Sequence, residues 1–463
     1  MKKAVLIGAG ITNLALGEIL VNNGYEVTLV EKTSKTGGVC ASFDYKGFTL
    51  DYGPHKFYTQ LPGIENEFKR IVGEDNYFRV SKKNSIRLLG KYFDFPVKIS
   101  QLLLGIPLPT AFGIAIDLLK AKLKKIEVNN YRDYFIKGFG KTGYSIVFEG
   151  FAKKVWGNPE QLSEELARRR SPASSVFDVL KSALVKNDKN VSAEYFFYPK
   201  KGFGEIGKSL EKNIIKKKGK IMLDSKVEKI NINEGKINDV EVIKNGKKMK
   251  IKTDLIVSSI PIDELPELIS KNMPSEIVEE SKKLKFRALI VAYIFLSKEK
   301  ALNDNWIFFP EKEFCFNRIA ELKSFSHEVC PKGKTVLTAE ITCDANDSIF
   351  KESDEEIKKI VIADLIKAGL IKEGEVFDFI TRRAKKVYPV YDINYRVHLS
   401  KVLNELDKIK GLFTVGRPGL FNYNNSDHSI DMAKKTADII IKNKGIEEWK
   451  KAKEYFDSYR IVD

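Results

Sequence analysis

Two clusters of residues in this chain could do chemistry. The first is Gly8-Ala9-Gly10, set directly after the apolar run Ala4-Val5-Leu6-Ile7 and followed by Asn13, with Glu31 closing the next apolar run. Gly8 permits a tight turn. Gly10 lets main chain approach a pyrophosphate, where the N–H groups and dipole of a following helix favour the anion. Glu31 stands where a carboxylate accepts hydrogen bonds from ribose hydroxyls. Asn13 takes the third position of this fingerprint, where glycine serves close helix–strand packing, so a somewhat loosened contact is expected there. The second cluster is Leu412-Phe413-Thr414-Val415, Gly416-Arg417-Pro418-Gly419, Tyr423 and Asp427-His428. Val415 ends a buried strand, Gly416 allows close approach to a ligand, and Arg417 offers a planar fork to phosphate oxygens. Tyr423 can donate to a phosphate or a substrate hydroxyl. Asp427 is the expected N-cap of a helix running from His428 to about Lys442.

These residues need particular elements beneath them. Leu14-Ala15-Leu16-Gly17-Glu18-Ile19-Leu20 repeats at helical spacing, Gly24 stops that helix, and Glu26–Val30 reads as a second buried strand. Strand, glycine turn, helix and strand ending on an acid form the context that a dinucleotide fingerprint requires. Two further features have two readings each. His55, after Gly53-Pro54, is either an ordinary loop residue or a ligand neighbour. Arg168-Arg169-Arg170 is either a solvated helix face or a phosphate contact.

Several segments carry a resemblance. Lys35-Thr36-Gly37-Gly38, Phe48 to His55, Trp156-Gly157-Asn158-Pro159, Tyr198 to Gly204, Ile221 to Val227, Asp254 to Pro261, Tyr388 to Asp392 and the C-terminal cluster appear in that order. Together they resemble the FAD-dependent amine oxidase and protoporphyrinogen oxidase-like superfamily, in the branch similar to UDP-galactopyranose mutase, over nearly the full length. The resemblance implies non-covalent FAD held by Gly8, Gly10, Asn13, Glu31, Lys35, Gly37, Gly38, Val227, Gly416, Arg417, Asp427 and His428. It implies that main chain at Val227 meets the adenine, and that the helix beginning near Asp427 points its N-terminus at the pyrimidine end of the isoalloxazine. Lys35 stands where arginine is common, and supplies a point charge rather than a fork. His55, Arg417 and Tyr423 are the implied catalytic residues.

The expected fold is α/β: a discontinuous Rossmann-type FAD-binding domain of the two-dinucleotide-binding kind with an inserted mixed α+β substrate domain. The expected parts are 1–93, 198–263 and 387–463 for the flavin domain, with a mainly helical insert at 94–197 and a second substrate part at 264–386. The expected activity is hydride transfer from an unidentified substrate to flavin N5. The alternative is a mutase acting on a nucleotide sugar with reduced flavin, and a third reading is a non-catalytic flavin-binding or membrane-surface protein.

Composition narrows the rest. The 463 residues suit a multidomain enzyme, and 43% hydrophobic residues can fill a sizeable core. Lys+Arg exceed Asp+Glu by 79 to 62, giving +17. The lysines are spread along the chain, which reads as a solvated surface compatible with an anionic small-molecule ligand and not as a nucleic-acid stripe. The four cysteines form no CxxC pair and the four histidines have no metal-ligand spacing, so no metal and a reducing, cytoplasmic setting are expected. The N-terminal apolar run reads as a strand and not as a secretory signal. Leu102 to Leu119 is the nearest candidate for a bilayer-spanning run, interrupted by Pro107, Pro109 and Asp117. It reads as a packed helix, with a bilayer-surface contact as the alternative, and not as a membrane span. Oligomeric state is left open.

Overall fold

The computed structural model describes residues 2–95, 97, 101, 105–123, 126–170, 194–269 and 273–461. The N-terminal unit forms as its sequence pattern dictates. Strand β1 (Lys3–Ile7) is buried from Ala4 onward, helix α1 (Ile11–Asn22) follows the glycine turn, and β2 (Glu26–Val30) returns parallel to β1. Close helix–strand contact is made at Gly17 as well as at residue 13. A Cβ on Gly17 would lie 3.1 Å from Leu6 Cδ1 and 3.3 Å from Leu29 Cδ1. The expected loosening at Asn13 does not occur. Its side chain is wholly buried and its amide nitrogen lies 3.0 Å from Ile7 O, 2.9 Å from Gly8 O and 3.1 Å from Ser259 Oγ. One polar side chain thus stitches the turn to the helix and to a neighbouring strand.

Further along, α2 (Leu108–Leu123) packs on α3 (Tyr131–Tyr144), and α4 (Glu164–Arg170) is a short acid-to-base helix. Leu102, Lys124 and Lys125 lie outside the described residues. Among the described residues, no helix is long and apolar enough to cross a membrane. Helix α5 (Glu205–Lys216) packs against α1 and leads to β3 (Lys220–Met222), β4 (Ser225–Asn233) and β5 (Leu255–Ser258). Then come β6 (Phe286–Leu296), β7 (Arg318–Glu321), β8 (Thr335–Cys343) and β9 (Val376–Pro389). The chain closes with α6 (Tyr395–Leu406), β10 (Leu412–Thr414), α7 (Ser426–Ile441) and α8 (Gly445–Asp457).

Two large sheets organise these elements. The first is parallel, in the order β10-β5-β1-β2-β3, and so gathers strands from both ends and the middle of the chain. Its strands are short and apolar because both faces are covered. The second has seven strands, with β9-β6-β8-β7 continuing through Trp306–Phe308, Asn84–Leu88 and Lys91–Asp94. The sequence-expected strand at Phe286 to Phe295 is its buried centre, paired on both sides with β8 and β9. Ligands in open parallel sheets bind beyond the carboxyl ends of the strands. In this molecule those ends are Ile7, Val30, Ser258 and Thr414.

Candidate functional site

The turn after β1 is held from several sides. Gly8 has φ +87°, a conformation that disfavours any side chain, and donates to Val30 O at 2.9 Å. Ala9 N donates to Glu31 Oε2 at 2.8 Å, while Glu31 Oε1 accepts from Thr33 N at 2.9 Å and Thr33 Oγ1 at 2.8 Å. Glu31 therefore braces the glycine turn as well as standing at the end of β2. Gly37 N donates to Ala9 O at 2.8 Å, and a Cβ on Gly38 would lie 3.4 Å from Gly10 Cα, so the two glycine pairs lie back to back. Around Gly10 there is room: a Cβ there meets nothing within 4 Å, and no side chain caps α1. Free helix N–H groups facing open space are what an anion needs. Lys35 is exposed, with its ammonium 5.8 Å from the Phe43 ring centre.

Strand β4 begins beside Glu31, because Ser225 N donates to Glu31 O at 2.9 Å; the buried Val227 follows on the same strand. From the other edge of the sheet, Gly416 (φ +80°) comes against the first turn of α1, where an added Cβ would lie 3.4 Å from Thr12 Oγ1. The first and last parts of the sequence motif thus meet.

Three expectations for the C-terminal cluster need correction. The N-cap of α7 is Asn425, with a capping box in which Asn425 N donates to His428 Nδ1 at 3.0 Å. Asp427 lies inside the first turn, where burial raises its carboxyl. Burial likewise lowers His428, and accepting at Nδ1 requires its neutral form. Arg417 turns its fork inward: Nε and Nη2 donate to Asn424 O at 3.0 and 2.8 Å, which shapes the loop before α7. The Tyr423 hydroxyl is also engaged, donating to Pro389 O at 2.7 Å. Asp427 and His428 line a cavity of about 240 Å³ with Tyr58, Leu61, Tyr455 and Tyr459.

His55 stacks on Phe203 with ring centres 5.1 Å apart, and its Nδ1 is buried with no hydrogen-bond partner among the described residues. Burial, then the positive charges of Arg318 and Arg417, lower its pKa to about 3. It is a neutral imidazole with one ring nitrogen left without a hydrogen-bond partner among the described residues. The Arg168–Arg170 run divides three ways. Arg168 pairs with Glu164 on the solvent side, Arg169 is bound by Glu165 and Asp457, and Arg170 lies 5.7 Å from the Tyr423 ring and 5.9 Å from the Trp156 ring.

Sequence reasoning missed Arg318 and Glu340. They form an ion pair between β7 and β8, and Tyr388 lies within the fields of Glu340, Arg318, Arg417 and Arg170. The signal was available: Glu340 is the one charge in a strand buried along its whole length, Thr335–Cys343.

A model of the family described as flavin containing amine oxidoreductase matches residues 14–391. The chain belongs to this family. Its cofactor is FAD, and the observations around Gly10, Gly37 and Gly38 fit a dinucleotide: uncapped helix N–H groups, open space and glycines in contact. The fold is shared with solved structures. The crystal structure of reduced UDP-galactopyranose mutase superposes with TM-score 0.83 at 19% identity, covering 100% of this chain and 98% of that one. Cyclohexylamine oxidase from Brevibacterium oxydans IH-35A gives 0.68 at 12% identity, covering 96% and 99%. In sequence, a Klebsiella pneumoniae protein named "Probable UDP-galactopyranose mutase" is 24% identical over 177 residues, 36% of this chain and 44% of the relative. A carotenoid desaturase of Flavobacterium sp. (strain P99-3), the 1-hydroxycarotenoid 3,4-desaturase, is 30% identical over 106 residues, 22% of this chain and 21% of that protein. The chain thus spans less than half the length of the sequence relatives it matches.

Proposed function

We propose that this flavoenzyme acts on an anionic substrate of the nucleotide-sugar class and isomerises its sugar ring without net oxidation. The observation that carries the reading is the charge around His55 and Tyr388. Arg318 and Arg417 act on both residues, Arg170 also acts on Tyr388, and Glu340 is the buried counter-charge. Arginines gathered at this place favour a diphosphate and disfavour a cationic amine. Neutral His55 adds no charge of its own and offers Nδ1 as a hydrogen-bonding partner.

In this proposal the Gly8–Gly10 turn and the N-terminus of α1 hold the FAD pyrophosphate. Glu31 takes a ribose hydroxyl with the lone pairs left by Ala9 and Thr33, and Val227 meets the adenine. Lys35, Gly37 and Gly38 border the same groove. Gly416, Asp427 and His428 lie toward the isoalloxazine, and His55, Arg417 and Tyr423 form the walls around the substrate. Arg417 acts there by charge and by shaping the loop, since its Nε and Nη2 donate to Asn424 O, and Tyr423 by its ring, since its hydroxyl donates to Pro389 O. Bound FAD supplies a nucleophile when reduced and a hydride acceptor when oxidised. The parallel sheet is the flavin-holding layer of this proposal and the seven-stranded sheet the substrate layer.

The second reading is hydride transfer from the substrate, favoured by membership of an oxidoreductase family. One experiment separates them: a panel of sugar nucleotides is incubated with oxidised and with dithionite-reduced protein, without oxygen, and products are analysed. A ring isomer formed only by the reduced protein supports the mutase. Stoichiometric bleaching of the oxidised flavin by substrate alone supports hydride transfer. If sugar nucleotides neither bind nor react in either state, the anionic-substrate reading fails.

A further inference from the structure

We infer that the outward face of α2 is a docking surface for an anionic lipid bilayer. Leu108, Phe112, Leu119 and Leu123 are 84%, 69%, 62% and 88% exposed. Ala111 and Ala115, also exposed, fill the stripe between them. Residues at these spacings share one face of a helix. Soluble surfaces seldom present a continuous apolar stripe of this kind, and one that does occur marks an interaction site.

The fold fixes which face points outward. Asp117 is the one acidic residue of α2, and it is turned inward. Its carboxylate accepts from Thr142 N and Thr142 Oγ1, each at 2.8 Å. Gly140 (φ +72°) makes room for this contact, since a Cβ there would lie 2.7 Å from Asp117 Cβ. Rolling the helix to hide Leu108 and Phe112 would break these bonds and drive Asp117 out of its fitted place. The outward face is left with no acid.

Charge selects the occupant. Lys120 is exposed at the C-terminal end of the stripe, and Lys122, Lys124 and Lys125 follow it in the sequence. An apolar face bordered by lysines lies in a bilayer interface with its large side chains at the acyl boundary and its ammonium groups at lipid phosphates. A second copy of the chain is the weaker candidate, because a net charge of +17 repels like molecules and attracts an anionic surface. The inference is independent of the reaction at the flavin.

The test is flotation of the FAD-loaded protein with vesicles of phosphatidylglycerol and phosphatidylcholine, compared with phosphatidylcholine alone. Binding is expected with the anionic vesicles and is expected to weaken with salt. The triple variant Leu108→Ser, Phe112→Ser, Leu119→Ser should lose about tenfold or more of this binding, as apolar insertion adds to charge attraction. Its FAD content and thermal unfolding should remain unchanged, because the altered side chains face solvent. Lys120→Glu should lower binding to anionic vesicles more than any residual binding to neutral ones. Failure of the intact protein to float with anionic vesicles overturns the inference. So does binding that survives the triple substitution, or a dimer that the triple substitution dissociates in protein that never binds vesicles.

Discussion

Arg169 and Asp457 are joined by an ion pair of 2.9 Å that ties the end of the last helix to the short helix carrying Arg170. Around it, Arg396 Nη2 donates to Asp457 at 2.6 Å, Tyr395 Oη to Glu165 at 2.5 Å, and Asn422 Nδ2 to Phe456 O at 2.6 Å. Burial works against ionisation of Glu165, yet Arg396, Tyr395 and Arg169 hold its carboxyl down at about 2. The network connects α4, α6, α8 and the loop leading to Tyr423.

Asp457→Ala is therefore expected to cost about 1–2 kcal/mol of stability, the scale of a charged hydrogen bond discounted for partial exposure. It should also tighten binding of an anionic probe such as UDP while leaving FAD content intact, because it removes the negative charge that neutralises Arg169 beside Arg170. Asp457→Glu should restore part of both. Denaturant titration and UDP binding measured on the same samples check this; an unchanged UDP affinity would confine the pair to a structural role.

The two fingerprint glycines should respond differently to one methyl group. Gly8→Ala forces a side chain at φ +87° and places Cβ 2.7 Å from Ser259 Oγ. It should destabilise the apoprotein by about 1–2 kcal/mol from backbone strain alone. Gly10→Ala meets nothing within 4 Å, so apoprotein stability should hold while FAD binding weakens. Unfolding of apoprotein and FAD titration of each variant separate the effects.

Asn13→Gly would recreate the customary third glycine, yet it should be harmful. It removes the amide that serves Ile7 O, Gly8 O and Ser259 Oγ in a buried place. A loss of about 0.5–1.5 kcal/mol is expected, the net worth of a hydrogen bond, because Ser259 N and Oγ still donate to Ile7 O, with Asn13→Ala similar. Equal or greater stability of the glycine variant in urea would contradict the bracing role.

Glu31→Ala should lower FAD affinity by about ten- to a hundredfold, the equivalent of losing a charged hydrogen bond of about 1.5–3 kcal/mol. Part of the loss comes from the protein side, because Ala9 N and Thr33 N lose their acceptor. Retained FAD per protein after gel filtration measures it.

His55 gives a pH dependence of definite sign. Its folded pKa is about 3, against about 6.5 for an unperturbed imidazole. Between these values the unfolded chain binds a proton that the native site refuses. Stability from this group is complete above about pH 6.5 and falls as pH drops toward 3, by up to about 1.4 kcal/mol per pH unit. His55→Gln should flatten that fall, which a series of urea titrations from pH 7 to 4 would register. His428, also lowered by burial, adds a decline of the same sign that His55→Gln leaves in place.

Local chemistry was legible in the sequence wherever it depends on neighbours along the chain. The apolar runs, the glycine turn, α1, the acid closing β2 and the strand at Phe286 follow from hydrophobic period and backbone permissiveness, which a single segment carries by itself. The C-terminal helix was legible as well, but its cap was misplaced onto Asp427, since Asn425, Ser426 and Asp427 are all capable caps and only the loop held by Arg417 selects Asn425. What the tertiary structure alone decided is where donors and charges are spent. Tyr423 and Arg417 look free in sequence, but each finds a main-chain carbonyl, at Pro389 and Asn424, brought up by the fold. Arg168, Arg169 and Arg170 are identical in type and adjacent, yet helical rotation sends one to solvent, one to Asp457 and one to the rings of Tyr423 and Trp156. Arg318 and Glu340 come from different strands and acquire meaning only when β7 and β8 pair. A sequence fixes which groups a chain owns and the local shapes it prefers; which group meets which across tens or hundreds of residues is set by sheet register and helix packing, because a hydrogen bond or ion pair acts over a few ångströms of space and is indifferent to separation along the chain.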